Sequence, residues 1–391
     1  MLWVILGHVL IFPIMFGTVN PLTGFSWLQR YNFMTIANAY FSVDSFFVLS
    51  GFLVTYLTLN QMKRKQGFTW FHWLVFYFHR YWRLTPAVAI TMLFFVFITP
   101  YFGYGPYAQL AGVRQQCPKY WWTNLLYINN FYPTKSADMC IGWVWYLAND
   151  MQFFVISPLI LIPLYFIPWL GMLVLTALCV MSFTVIGTLV GVYDLQAVTT
   201  QPNANNFQDI IYMKPYCRIT PYLVGMALGY IVYKYPKKSI KLHWMVALLG
   251  WIIASGIGYT CVYSVYGNYN GHIWTKAENI VYEMFCRFAW GVFLSWVIFA
   301  CHYGYGGWVN SLLGHPAWAP VSRLTYTAYL LHPLVIMLFL SFQGGPSYLS
   351  LGLLAFNFAG ISLISYAWAA IFSLAVEFPL VGLEKMFIPR D

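Results

Sequence analysis

Charge is what this sequence lacks. Only 8% of its 391 residues are Asp, Glu, Lys or Arg, while 61% are hydrophobic. A soluble domain carries about 25% charged residues, so too few polar side chains remain here to cover a globular surface. Most of that surface must face lipid. With a mean hydropathy of +0.65, the composition predicts an all-α, polytopic membrane protein.

Other absences narrow the reading. The seven cysteines form no CxxC pair and no Cys/His cluster at zinc spacing, which argues against a structural metal. No N-x-[ST] site occurs, no internal repeat is visible, and nothing marks a second domain, so residues 1–391 read as one membrane domain. The net charge of +10 comes with no stacking platform or basic domain, which sets nucleic acid aside. There is no signal peptide either: Met1 opens directly into "MLWVILGHVLIFPIMF". That run is short of the ~20 residues that cross a bilayer core. It predicts a first helix that takes residues from upstream, or an N-terminally truncated chain.

What is present is a series of apolar runs at about 1–16, 36–59, 84–102, 143–162, 169–192, 218–233, 244–263, 283–303, 324–342 and 351–376. They predict about ten spanning helices. The fourth and fifth are parted only by "PLYFIPWLG". Basic residues set the orientation, because cytoplasmic loops collect Lys and Arg. The connections containing "NQMKRKQGFTWFHWLVFYFHRYWR" and "KYPKKSIK", with 304–323 and the C-terminal tail, hold twelve of them; the opposite connections hold six. Both ends of the chain are therefore expected inside the cell, in a plasma or an internal membrane. The long connection at about 103–142 then faces outside. Its Cys117 and Cys140 are disulfide candidates by compartment, or two separate thiols. Cys217 and Cys261 form a weaker second pair.

Ionisable groups inside spans are costly and mark functional candidates. They are His8, Asp44, Asp150, Arg218, Glu283, Arg287 and His332. Glu283 and Arg287, at i and i+4, suit an internal structural ion pair. Arg218 is expected at the edge of its helix, snorkelling to the interface. His8 lies midway along an apolar run without a local partner; an imidazole there suits general-base chemistry. In "HRYWRLTP", Arg80 and Arg83 share a helical face at the cytoplasmic mouth of the third span, where two guanidiniums could grip phosphates. Positive-inside anchoring would place them there as well.

Several stretches together resemble the acyltransferase 3 family of integral-membrane O-acyltransferases. They are His8 in the first span, "FFVLSGFL" after Asp44, the R-x-x-R of "RYWRLTP" and the late "TYTAYLLHPLV". "WWTNLLYINNFYP", "CIGWVWYLANDMQFFVISPLI" and "KPYCRITPYLVGMALGY" look more like its animal, nose-resistant-to-fluoxetine-like branch. The resemblance runs to "VEFPLVGLEK". It implies a single acyltransferase 3-type domain that moves an acyl group from a cytoplasmic acyl-CoA co-substrate, with no bound cofactor. The acceptor would be a hydroxyl-bearing small molecule, lipid or glycan, and membrane lipids would surround the chain. His8 maps onto the family's general base, with Asp44 orienting it or bonding a substrate. Arg80 and Arg83 map onto the clamp for the CoA phosphates. Asp150, His332 and Glu377 are the remaining substrate-side expectations. The family's arginine about ten residues ahead of its histidine, and the branch's upstream extracellular domain, have no counterpart in this sequence.

A non-enzymatic transporter or lipid-handling protein of the same fold is the competing reading. It would keep Asp44 and Asp150 but has no need of His8, Arg80 and Arg83 together.

Overall fold

The computed structural model describes residues 1–105, 116–196, 207–237 and 239–387. Arg114, Lys238 and Arg390, three of the loop charges counted above, lie outside the described residues, as does the side chain of Lys385. In chain order the principal helices are α1 (Leu2–Phe16), α2 (Phe41–Arg64), α3 (Trp70–Leu93), α4 (Cys117–Leu125), α5 (Trp145–Ile156), α6 (Pro158–Phe166) and α7 (Pro168–Tyr193). They continue as α8 (Pro215–Lys234), α9 (Trp244–Tyr263), α10 (Lys276–Tyr303), α11 (Thr325–Ser341), α12 (Leu351–Phe372) and α13 (Phe378–Phe387). Among the described residues there is no β-strand. Seven helical stretches among the described residues are long and apolar enough to cross a membrane, and α1 and α11 are shorter apolar helices. Lipid offers no partner to a free N–H or C=O, so the helix, which satisfies both internally, is the form these runs adopt. The chain is an all-α polytopic membrane protein.

Each of the ten expected runs finds a helix, but one boundary moves far. The third run was placed at 84–102, whereas α3 begins at Trp70, where Thr69 and His72 form a capping box. Hydropathy loses the helix where His79, Arg80 and Arg83 interrupt the apolar pattern. The backbone is indifferent to that, because "WFHWLVFYFHRYWR" has no glycine or proline to stop it. Arg80 and Arg83 therefore lie in the middle of α3.

The chain divides into two compact units of interleaved segments. The first comprises Met1–Trp27, Phe68–Ala148 and Pro316–Asp391. Here α1 packs on α11 and α12, and α3 packs on α11 and α13. Leu2 and Trp3 line a cleft with Thr325 and Tyr366, and His8 meets His332 further along. Helices α1 and α11 thus run parallel, and α12 returns antiparallel. Their far ends are pinned by the loops: Val19 N donates to Ser347 O at 2.9 Å, and Asn20 Oδ1 accepts from Leu349 N at 2.8 Å.

The second unit comprises Leu28–Gly67 and Asn149–His315. Its centre is a close pairing of α2 and α8. A Cβ on Gly51 would lie 2.1 Å from Tyr222 O, and one on Gly225 would lie 2.1 Å from Val48 O. A turn further on, a Cβ on Gly229 would lie 2.7 Å from Phe52 O. Contacts that advance together along both chains mean that the helices are parallel. Gly225 and Gly229 form the small-xxx-small pattern that lets membrane helices approach backbone to backbone.

Candidate active site

His8 was expected to lack a local partner; the fold supplies one 324 residues away. His8 Nδ1 and His332 Nε2 are 2.7 Å apart, with the two rings stacked at 5.0 Å between centroids and 16° between planes. His332 is fully buried and His8 half-buried. Phe12, one turn along α1, covers His8 edge-on at 5.4 Å.

The hydrogen-bond network assigns the protons. His332 Nδ1 lies 3.1 Å from the carbonyl oxygen of Ala328. A carbonyl only accepts, so Nδ1 of His332 carries a hydrogen and its Nε2, in the neutral ring, offers a lone pair. The 2.7 Å contact is then donated by His8 Nδ1–H. What remains is the Nε2 lone pair of His8, on the less buried of the two rings. The arrangement is an imidazole held in one tautomer and orientation by a second one, the geometry that general-base chemistry asks for.

Arg80 and Arg83 lie elsewhere in the same unit, three residues apart and so about 4.5 Å along the α3 axis. Arg83 is exposed and Arg80 partly buried. The flanking turns of α3 are held firmly: His79 Nε2 lies 3.1 Å from Glu384 Oε1, and Trp82 Nε1 donates to Leu380 O at 3.2 Å. Tyr326 donates from its hydroxyl to Leu84 O at 2.8 Å, where Arg83 and Glu377 both act on it electrostatically. Glu377 accepts a hydrogen bond from Ser373 one turn earlier. The substrate-side candidates Arg83 and Glu377 are thus brought into one neighbourhood. Tyr326, on which both charges act, carried no signal in the sequence beyond lying in "TYTAYLLHPLV".

Asp44 belongs to the second unit, where Arg218 holds it. Arg218 Nη1 is 2.9 Å from both Oδ1 and Oδ2 of Asp44, and both side chains are fully buried. Arg218 Nε donates to Tyr212 O at 2.8 Å, and the guanidinium stacks 4.4 Å from the Tyr212 ring centroid. The expectation that Arg218 snorkels at the interface is corrected: a guanidinium with a carboxylate, a carbonyl and an aromatic face around it has no need to reach water. The Asp44 carboxylate is engaged by Arg218, and the His8 ring by His332. Glu283 and Arg287 pair at 2.9 Å, both almost fully buried. Arg287 also feels Asp44, so two acids and two bases share the interior and their charges cancel.

Asp150 Oδ1 accepts from Ser50 Oγ at 2.6 Å. Its neighbour Asn149, fully buried, donates to Met213 O at 3.1 Å. The Ser50 link sets Asp150 against α2 six residues beyond Asp44, about 9 Å by helix rise. Cys117 and Cys140 are joined by a disulfide. Cys217 and Cys261, the weaker candidate pair, are both free and buried. Among the described residues, no three His, Cys, Asp or Glu side chains gather as they would around a metal ion.

Comparison with known proteins adds three relatives and a family. The sequence pattern of an acyltransferase domain, acyltransferase 3, matches residues 1–381. The chain is 32% identical over 99% of its length to nose resistant to fluoxetine protein 6 of Caenorhabditis elegans, of which it spans 50%. It is 26% identical over 91% of its length to regulator of hypoxia-inducible factor 1 of the same organism, spanning 71% of that protein. Over 35% of its length it is 30% identical to peptidoglycan O-acetyltransferase OatA of Listeria monocytogenes, spanning 22% of it. The chain thus covers about half of the first relative. No solved structure matches it.

Proposed function

The chain belongs to the acyltransferase 3 family, and from that membership we propose that it is an integral-membrane O-acyltransferase. It moves an acyl group from acyl-CoA to a hydroxyl-bearing acceptor, with His8 as general base. The observation that carries this reading is the His8–His332 pair. In the proposed step, His8 Nε2 takes the proton of the acceptor hydroxyl as its oxygen attacks the thioester carbonyl. The tetrahedral intermediate collapses, the C–S bond breaks, and the CoA sulfur leaves with the proton from His8. His332 acts through His8 by accepting its Nδ1–H. One of the relatives is named an O-acetyltransferase, which agrees with a hydroxyl acceptor.

Arg80 and Arg83 would hold the phosphates of the donor, Arg83 from its exposed position and Arg80 from a partly buried one. Glu377 and Tyr326 belong to that donor end. Asp150 is kept as a substrate-side candidate held by Ser50. Asp44 serves as the counter-ion of Arg218. The orientation proposed from loop charge puts both ends of the chain, and the donor, on the cytoplasmic side.

The test is thiol release from a panel of short and long acyl-CoAs by the purified, detergent-solubilised protein. Wild type is compared with His8→Ala and Arg83→Ala. Release that disappears in His8→Ala, with a raised KM for the donor in Arg83→Ala, supports both roles. Wild-type protein that neither binds nor consumes acyl-CoA overturns the reading and favours a transporter.

A further inference from the structure

Helices α2, α6, α8 and α10 of the second unit end together. The glycine contacts make α2 and α8 parallel, and α10 runs with them. A Cβ on Gly291 would lie 3.3 Å from Pro221 Cα, and twelve residues on (303 − 291) Tyr303 Oη donates to Tyr235 O at 2.6 Å. Helix α6 reaches the same end, where Tyr165 Oη donates to Met62 O at 3.4 Å. None of the stretches that meet here, 52–67, 157–170, 226–252 and 296–315, contains an Asp or Glu. They carry six exposed cations instead: Lys63, Arg64, Lys65, Lys234, Lys237 and Lys241. The four helix C-termini present roughly half a negative charge each, about two in all. About four positive charges are left over, before the positive starts of α7 and α9 are counted.

The connection between α8 and α9, with Lys237 and Lys241, is fixed in place. Tyr303 holds its start at Tyr235 O. Tyr305 holds its end, accepting from Leu242 N at 2.6 Å and donating to Ile240 O at 3.2 Å. Ser239 N closes a turn on Pro236 O at 3.0 Å. Ile240 packs against the cluster of Leu228, Val232 and Tyr303, while Lys237 and Lys241 stay exposed. Lys234 Nζ stands 6.0 Å from the Tyr230 ring centroid and 5.8 Å from that of Tyr235, within cation–π reach. Trp244 and Met245, exposed at the start of α9, continue the surface into apolar side chains. Collecting lysines in a cytoplasmic loop asks for none of this pinning.

We propose that this end of the second unit binds the headgroup of a polyanionic phospholipid, its phosphates on Lys234, Lys237 and Lys241 and its tails along Trp244 and Met245. Phosphates supply the negative charge that these stretches lack. Lys63, Arg64 and Lys65 add to the attracting field at the same end. A pinned loop presents its lysines without the ordering cost that a flexible one would incur on binding. The apolar surface beside the lysines favours a lipid over a free phosphate. The orientation proposed above puts the site in the leaflet that is rich in anionic lipid. Headgroup binding here needs no acyl-transfer chemistry.

The experiment is native mass spectrometry of the whole, detergent-solubilised protein titrated with phosphatidylinositol bisphosphate or with phosphatidylcholine. Wild type is expected to retain the bisphosphate lipid and to lose phosphatidylcholine. Each basic side chain beside an anionic headgroup changes affinity roughly fivefold, so Lys237→Gln with Lys241→Gln should weaken binding roughly 25-fold. Lys214→Gln with Lys276→Gln removes the same charge at the starts of α8 and α10 and should leave binding unchanged. Tyr303→Phe with Tyr305→Phe keeps every charge and ring but frees the loop, and should weaken binding several-fold. Inositol trisphosphate, which has phosphates but no tails, should bind much more weakly than the lipid. Equal lipid affinity in the two lysine variants, or unaltered affinity in the tyrosine variant, overturns the inference. So does inositol trisphosphate that binds as tightly as the lipid. If the tyrosine variant does not fold, the exposed lysine variants still decide.

Discussion

Asp44 and Arg218 each stand seven residues before the glycine at which their helices touch, Gly51 on α2 (51 − 44) and Gly225 on α8 (225 − 218). Seven residues are close to two helical turns. In parallel helices that meet at those glycines, the two charges arrive at the same level on facing sides, and they close to 2.9 Å. Both lie near the N-termini of their helices. Asp44 is favoured there by the helix dipole, whereas Arg218 is opposed by it and needs its counter-ion.

A buried ion pair is weakly stabilising as a whole and strongly destabilising when halved. Asp44→Asn and Arg218→Met are each expected to lower stability by about 3–5 kcal/mol. The double variant should lose much less than the sum. Thermal unfolding in detergent across this double-mutant cycle measures the coupling, and additive losses would show that the pair does not act as a unit.

The glycines that allow this approach should tolerate nothing larger. Gly225→Leu is expected to abolish a monodisperse folded protein, and Gly51→Ala to destabilise it, because the new Cβ would meet a backbone oxygen at 2.1 Å. Gly256, with open space around it, is the internal control: Gly256→Ala should unfold at the wild-type temperature. Size-exclusion profiles and melting curves decide between these outcomes.

Loss of the histidine pair should be non-additive in rate. His8→Ala is expected to reduce kcat by roughly 100-fold to 10,000-fold, the span of general acid–base catalysis. His332→Ala should reduce it by less, with the KM for acyl-CoA little changed. The double variant should be no worse than His8→Ala alone, since residues that act as a unit do not add. A double variant slower by the product of the two losses would mean that His332 acts independently of His8.

The Cys117–Cys140 bond closes a loop with a sequence separation of 23 residues. By the chain-entropy account, a loop of that size contributes about 3 kcal/mol. Cys117→Ser with Cys140→Ser should lower the melting temperature and expose α4, with its outward-facing Trp121 and Trp122, to protease. Reductant should do the same to wild type and nothing further to the double variant. Wild type that is insensitive to reductant would show that the bond contributes little.

The sequence by itself determined the class of the molecule. With 8% charge and 61% hydrophobic residues, lipid is the only solvent that can cover it, and lipid admits helices. The runs marked where those helices lie, because hydropathy is a local property. It failed where polarity is local too: α3 passes through His79, Arg80 and Arg83 unbroken, and a hydropathy reading ends it there. The candidate residues could likewise be named one at a time, since an ionisable group in an apolar run stands out by contrast. Their partners could not. Asp44 meets a cation 174 residues away, and His8 a second imidazole 324 residues away. Only the register of α2 on α8, and of α1 on α11, brings these groups within 3 Å. That register is set by backbone approach at Gly51 and Gly225 and by loop bonds such as Asn20 with Leu349, which are sums over packing that no short stretch contains. The tertiary structure therefore decided which carboxylate is a counter-ion, which two histidines meet, and which ring nitrogen keeps its lone pair.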